Sequence, residues 1–130
     1  MTETVSEEER QRALHVSVSV SEEGIATFLL RGELVGSDIV YFRRACAKTE
    51  KQGVVLFLIE FSEVESIDGY GLASLVGLLG RLRAVDGRMI LCGLNPDLRA
   101  KFEDTHCTTI FETEISAARA EEKLREFSLQ

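Results

Sequence analysis

Polar and apolar residues alternate through His15-Val16-Ser17-Val18-Ser19-Val20, and a period of two predicts a half-buried strand. Ser21 to Gly24 reads as a turn and Ile25 to Arg31 as a second strand. So short a connection predicts an antiparallel hairpin. The period then changes. Ser37 can cap a helix running to about Lys51, with Ile39, Phe42 and Cys46 at helical spacing and Gln52-Gly53 ending it. Val54 to Ile59 is a nearly unbroken apolar run, which fits a central strand covered on both faces. The next helix opens after Asp68, carries Leu72, Leu75, Val76, Leu79 and Leu82 on one stripe, and closes at Asp86-Gly87. Met89 to Cys92 reads as another buried strand, and Asn95-Pro96 starts a short helix to about Asp104. Thr109 to Phe111 suggests a brief edge strand. Ser116 caps a last helix with Ala117, Ala120, Leu124 and Phe127 inward and a Glu121–Arg125 pair outward.

The predicted order is β-β-α-β-α-β-α-β-α. Alternating strands and helices imply an α/β domain with a mostly parallel sheet, right-handed crossovers and four helices, to which the opening hairpin adds an antiparallel N-terminal edge strand. At 130 residues the chain suits one domain, expected over residues 12–130. Residues 1–11 are acidic and poor in apolar side chains, so a flexible tail is expected there, although Ser6 and Glu9 could open a short helix.

Composition narrows the function. The net charge of −7 argues against a nucleic-acid partner, which needs concentrated Lys and Arg, whereas the basic residues here are scattered. No apolar run reaches the ~20 residues that span a bilayer, and the polar N-terminus resembles no targeting peptide, so a cytoplasmic protein is expected. Cys46, Cys92 and Cys107 are far apart and His15 is far from His106, so no metal site is expected and the thiols are read as free. No nucleotide loop or catalytic triad is evident: Ser74 stands where Gly69-x-Gly71 would need a third glycine. No cofactor and no catalytic residue are expected.

The segment after the central strand holds the chemistry of interest, because sites in open α/β sheets gather where strands feed helices. Asp68 can accept N–H bonds from the first turn of the helix, and Gly69 and Gly71 leave the backbone open around Tyr70. Two readings stay open on physics alone. Asp68 and Gly71 could simply start a helix that sits close to the sheet, or Tyr70 could project from a recognition surface.

The stretch from Val54 to Glu103 resembles the STAS domain, shared by anti-sigma factor antagonists and the cytoplasmic tails of sulphate transporters. Glu60, Val64, Ile67, Asp68, Gly71 and Leu72 fall in step with the family pattern, as do Gly87, Leu98 and a Gly32-Glu33-Leu34 turn after the second strand. The resemblance, over about residues 14–126, implies a single STAS-like domain. It also implies a non-enzymatic partner-binding regulator, whose partner is an anti-sigma factor of the histidine-kinase-like ATPase type. The partner-binding residues it implies are Gly32, Glu33, Val35, Ser66, Asp68, Gly69, Tyr70 and Gly71. In the family the second serine of Asp-Ser-Ser-Gly is phosphorylated by that partner, and the added charge of about −1.5 to −2 breaks docking. Here Gly69 and Tyr70 replace the two serines, and Val35 replaces a commonly acidic residue. The phosphosite position is thus Tyr70, with Ser66 as a substitute candidate. An alternative is a STAS subunit regulating a lipid-transport ABC ATPase; from another class, a nucleotide-binding or phosphotransfer protein. A dimer is left open.

Overall fold

The computed structural model describes residues 12–106 and 109–129. The expected tail, with its Ser6–Glu9 helix start, and Cys107 lie outside them. Five strands form one sheet in the order β1-β2-β3-β4-β5: β1 Leu14–Val20, β2 Ile25–Leu34, β3 Leu56–Ile67, β4 Arg88–Cys92 and β5 Glu112–Glu114. β1 runs antiparallel to β2 and every other neighbouring pair is parallel. The helices are α1 Ile39–Lys51, α2 Gly69–Ala84, α3 Pro96–Asp104 and α4 Ala117–Ser128.

Strand order follows chain order, so right-handed crossovers between β2, β3, β4 and β5 lay α1, α2 and α3 on one face. α4, which follows the last strand, covers the other. The strands show the same division. In β3, Phe57, Ile59 and Phe61 join the core under α1–α3, while Leu56 and Leu58 pack with Ala120 and Leu124 of α4. In β4, Met89 and Leu91 go one way and Ile90 and Cys92 the other. An unbroken apolar run is what a strand buried on both faces requires. The larger layer is knit by aromatic rings, Phe28 stacked on Phe57 at 5.1 Å and Phe102 edge-on to Phe111 at 5.6 Å.

Several expectations need correction. β3 continues to Ile67 rather than ending at Ile59. Its pairing with β2 shifts register between Leu29 and Arg31 and between Gly32 and Glu33, so the inward residues Phe61, Val64 and Ile67 are three apart. Bulges of this kind break the period of two that marks a strand in sequence. For the same reason Gly32-Glu33-Leu34 is not a turn but the end of β2. Gly32 has φ +100°, and a side chain there would meet the Ala13 carbonyl. Ser37 caps no helix: residues 36–38 form a single 3-10 turn, and the Asp38 carboxylate instead accepts the N–H groups of Ala13 and Leu14. On α2, Val76 is exposed and Leu78 takes its place in the core. The edge strand lies at Glu112–Glu114, because Phe111 is drawn down onto Phe102 before pairing begins. Cys46 and Cys92 are free and buried, and burial pushes both thiols up to about 12, with the charges of Glu50 and Glu60 respectively adding to it.

Candidate functional site

Asp68 occupies the single residue between β3 and α2 and has an extended backbone. Its Oδ1 accepts the Gly71 N–H at 2.9 Å and closes the first turn of α2. Its Oδ2 accepts the Gly36 N–H at 2.9 Å, a bond to the connection between β2 and α1 that no local pattern announces. Asp68 N also donates to the Leu34 carbonyl at 3.4 Å. Partial desolvation opposes ionisation of this carboxyl, but the N–H bonds of Gly71, Gly36 and Tyr70 outweigh it and hold the pKa below the usual carboxylate range. One carboxylate thus joins the two crossovers that flank β3.

The two glycines around Tyr70 play different parts. A Cβ at Gly71 would lie 2.3 Å from the Leu34 carbonyl oxygen and 2.7 Å from Ile67 Cγ1. Close approach of α2 to the sheet therefore demands glycine at 71. A Cβ at Gly69 would meet nothing, and neither residue has a positive φ. Neither glycine is required for its dihedral freedom.

Tyr70, pointing away from this joint, is 75% exposed. It stands on the rim of a cavity of about 430 Å³ between α1 and α2, lined by Gly36, Ser37, Val40 and Arg43 on one side and Ala73, Ser74, Gly77 and Arg81 among those on the other. Arg81 is held at the far end by Glu50, at 2.8 Å. The contribution of α1 escaped the sequence reading. Its only signal was Val40 and Arg43, an apolar and a basic residue one helical turn apart on the solvent side of an amphipathic helix.

The remaining implied residues divide. Val35 is half-buried, with extended backbone, immediately before Gly36. Glu33 and Ser66 lie opposite each other at the ends of β2 and β3, both half-buried. Ser66 is therefore a strand residue, within the part of β3 that extends beyond Ile59. Gly32 sits further back, at the bulge beside Ala13, away from the Tyr70 rim. The Ser74 hydroxyl is engaged with the Gly71 carbonyl at 2.7 Å. On the other flank of the turn, Lys101 Nζ of α3 donates to the Ile67 carbonyl at 3.0 Å. Among the described residues no group of His, Cys, Asp or Glu is placed to hold a metal ion, and no helix is long and apolar enough to cross a membrane.

A sheet in chain order, an antiparallel first strand and a helix started by Asp68 between β3 and β4 together define a recognisable architecture, and the STAS domain model matches residues 18–121. The chain belongs to the STAS family. Solved structures with the same fold include SpoIIAA, an anti-sigma factor antagonist, in its unphosphorylated form. It has a TM-score of 0.69 and 21% identity, over 85% of this chain and 98% of SpoIIAA. An anti-sigma factor antagonist from Mycobacterium paratuberculosis superimposes with a TM-score of 0.76 at 18% identity, covering 86% of this chain and 94% of its own. An RsbS variant from Moorella thermoacetica gives 0.75 at 13% identity, over 88% and 98%. SpoIIAA from Bacillus is also known in a phosphorylated form, with a TM-score of 0.67 at 20% identity over 84% of this chain and 98% of that one. None of the curated proteins matches the chain.

Proposed function

We propose that this STAS domain regulates by binding rather than by catalysis, docking an anti-sigma factor of the histidine-kinase-like ATPase type in the cytoplasm through the α1–α2 face. The observation that carries this reading is Tyr70, an aromatic side chain 75% exposed on a turn that Asp68 pins from two crossovers. An exposed ring on a rigid base loses little entropy on docking, and such rings supply much of the energy of protein interfaces. The cavity beside it adds Val40 for apolar contact and Arg43 for an acidic group of the partner.

Tyr70 also bears on the kind of regulation. At the position where the family resemblance places a phosphorylatable serine, a serine kinase meets a phenol. The neighbouring hydroxyls are poor substitutes. That of Ser74 is committed to the Gly71 carbonyl, and phosphate on Ser66 would set its charge of about −1.5 to −2 beside Glu33. The domain accordingly binds without being released by phosphorylation. With the cognate kinase, ATP and Mg²⁺, the wild type should bind and stay unmodified, while Tyr70→Ser should be phosphorylated and released. If the wild type does not bind and the variant is not phosphorylated, the sigma-pathway reading fails. Binding to a lipid-transport ABC ATPase instead would assign the same face to that class of partner.

A further inference from the structure

The two edges of the sheet are finished differently. β5 is three residues long, its Glu112 and Glu114 are ion-paired with Arg88 and Lys123, and α4 packs against it. Shortness, charge and cover are the usual protections of a sheet edge. β1 lacks the first two: it is seven residues long, contains no Asp, Glu, Lys, Arg or Pro, and pairs with β2 in unbroken register, while α1 packs on one of its faces.

The orientation of its backbone follows from the ends of the hairpin. Ser21 N donates to the Ile25 carbonyl at 2.9 Å, and the Ala13 carbonyl accepts from Glu33 N at 2.9 Å. In an antiparallel pair every second residue shares that orientation, so His15, Ser17 and Ser19 bond to β2. The N–H and C=O groups of Leu14, Val16, Val18 and Val20 therefore point outward. Asp38 takes the Leu14 N–H at 3.2 Å. Among the described residues nothing meets the outward groups of the three valines. On the side-chain level Val18 and Val20 are 39% and 46% exposed, on the face that buries Leu14.

This free stretch, Val16-Ser17-Val18-Ser19-Val20, is a palindrome. We propose that β1 pairs with β1 of a second copy, antiparallel, about a two-fold axis at Val18. That register sets Val18 opposite its own counterpart, Val16 opposite Val20 and Ser17 opposite Ser19. All the valine pairs are then of the kind that exchanges both backbone bonds. A slip by one residue would oppose outward-facing to inward-facing residues and lose the ladder. Charge favours the same direction: Arg12, which lies over the Tyr41 ring, precedes the strand, and Glu22 follows it beside Glu23, itself paired with Arg125, so antiparallel alignment brings the basic end of each copy towards the acidic end of the other. The two-fold reverses strand direction, so the two Tyr70 faces point to opposite ends and stay open. Dimerisation is thus independent of the partner reading.

The test is sedimentation equilibrium on the full chain, alone and as variants at the axis. The wild type should pass from one chain to two as concentration rises. Val18→Lys and Val18→Glu should each stay monomeric, because like charges face each other, and an equimolar mixture of the two should regain the two-chain mass. Val18→Pro, which removes only an outward N–H, should also be monomeric with an unchanged circular dichroism spectrum. Tyr70→Ala should dimerise like the wild type. A wild type that remains one chain up to about 1 mM, the weak end of specific association, overturns the proposal. So does dimerisation unaffected by charge at position 18, or a Lys/Glu mixture that stays monomeric.

Discussion

Helices α2 and α4 start with the same local device and put it to different use. In each, a short polar residue with extended backbone accepts the N–H three residues on, Asp68 from Gly71 at 2.9 Å and Ser116 from Arg119 at 3.2 Å. At α4 that bond is the whole of the arrangement, and the preceding Ile115 is 87% exposed. At α2 the second carboxylate oxygen reaches Gly36, and Gly71 lets the helix press on the end of β2. One cap only starts a helix; the other is also a joint between two crossovers, and the exposed ring of Tyr70 rides on it. A cap becomes a joint when it ties together parts of the chain that are distant in sequence.

The glycines offer the largest effect with which to break this comparison. Gly71→Ala forces a methyl group into the Leu34 carbonyl and should destabilise the fold by about 3 kcal/mol or more in urea unfolding. Gly69→Ala, two residues away in open space, should change stability by less than about 1 kcal/mol, in the stabilising direction, because alanine favours helix. Equal effects at the two positions would dissolve the claim that α2 is docked through Gly71.

The caps come next. Asp68→Ala removes a charged acceptor from two backbone donors and should cost about 2 kcal/mol, the upper end for a cap, whereas Ser116→Ala should cost about 0.5–1 kcal/mol. If the two losses are equal, the bond to Gly36 contributes nothing to stability.

A smaller effect should appear in acid. The folded-state pKa of Asp68 is depressed, so its contribution is complete above the unfolded value of about 3.8 and is lost as pH falls below that through the folded pKa. The stability gap between wild type and Asp68→Asn should therefore stay constant from neutral pH to about pH 5 and narrow below pH 4. A gap that narrows near neutrality would place the carboxyl in a different environment.

Much of this architecture was legible in the sequence because it rests on local rules. The alternation of His15 to Val20, the apolar run into Ile59 and the caps at Asp68, Asn95 and Ser116 all appear as expected. What was not legible depends on pairing. The far half of β3 hides behind two bulges, so that Phe61, Val64 and Ile67 lose the period of a strand. The cap at Ser37 and the strand at Phe111 were misread because neighbouring groups serve distant partners, the Asp38 carboxylate at the start of β1 and the Phe111 ring on Phe102. The site divides in the same way. Asp68, Tyr70 and Gly71 stand together in one short segment of sequence, while Gly36, Val40, Arg43 and Arg81 come beside them only through the packing of α1 against α2.

On the proposed reading, Tyr70 serves recognition and the joint beneath it serves stability. Titration of the cognate anti-sigma ATPase with wild type and Tyr70→Ala, alongside their thermal melts, tests it most directly. The loss of an exposed hot-spot ring should weaken binding about 30-fold or more and leave the melting temperature unchanged. Equal affinity for the two proteins would contradict the assignment of the α1–α2 face as the recognition surface.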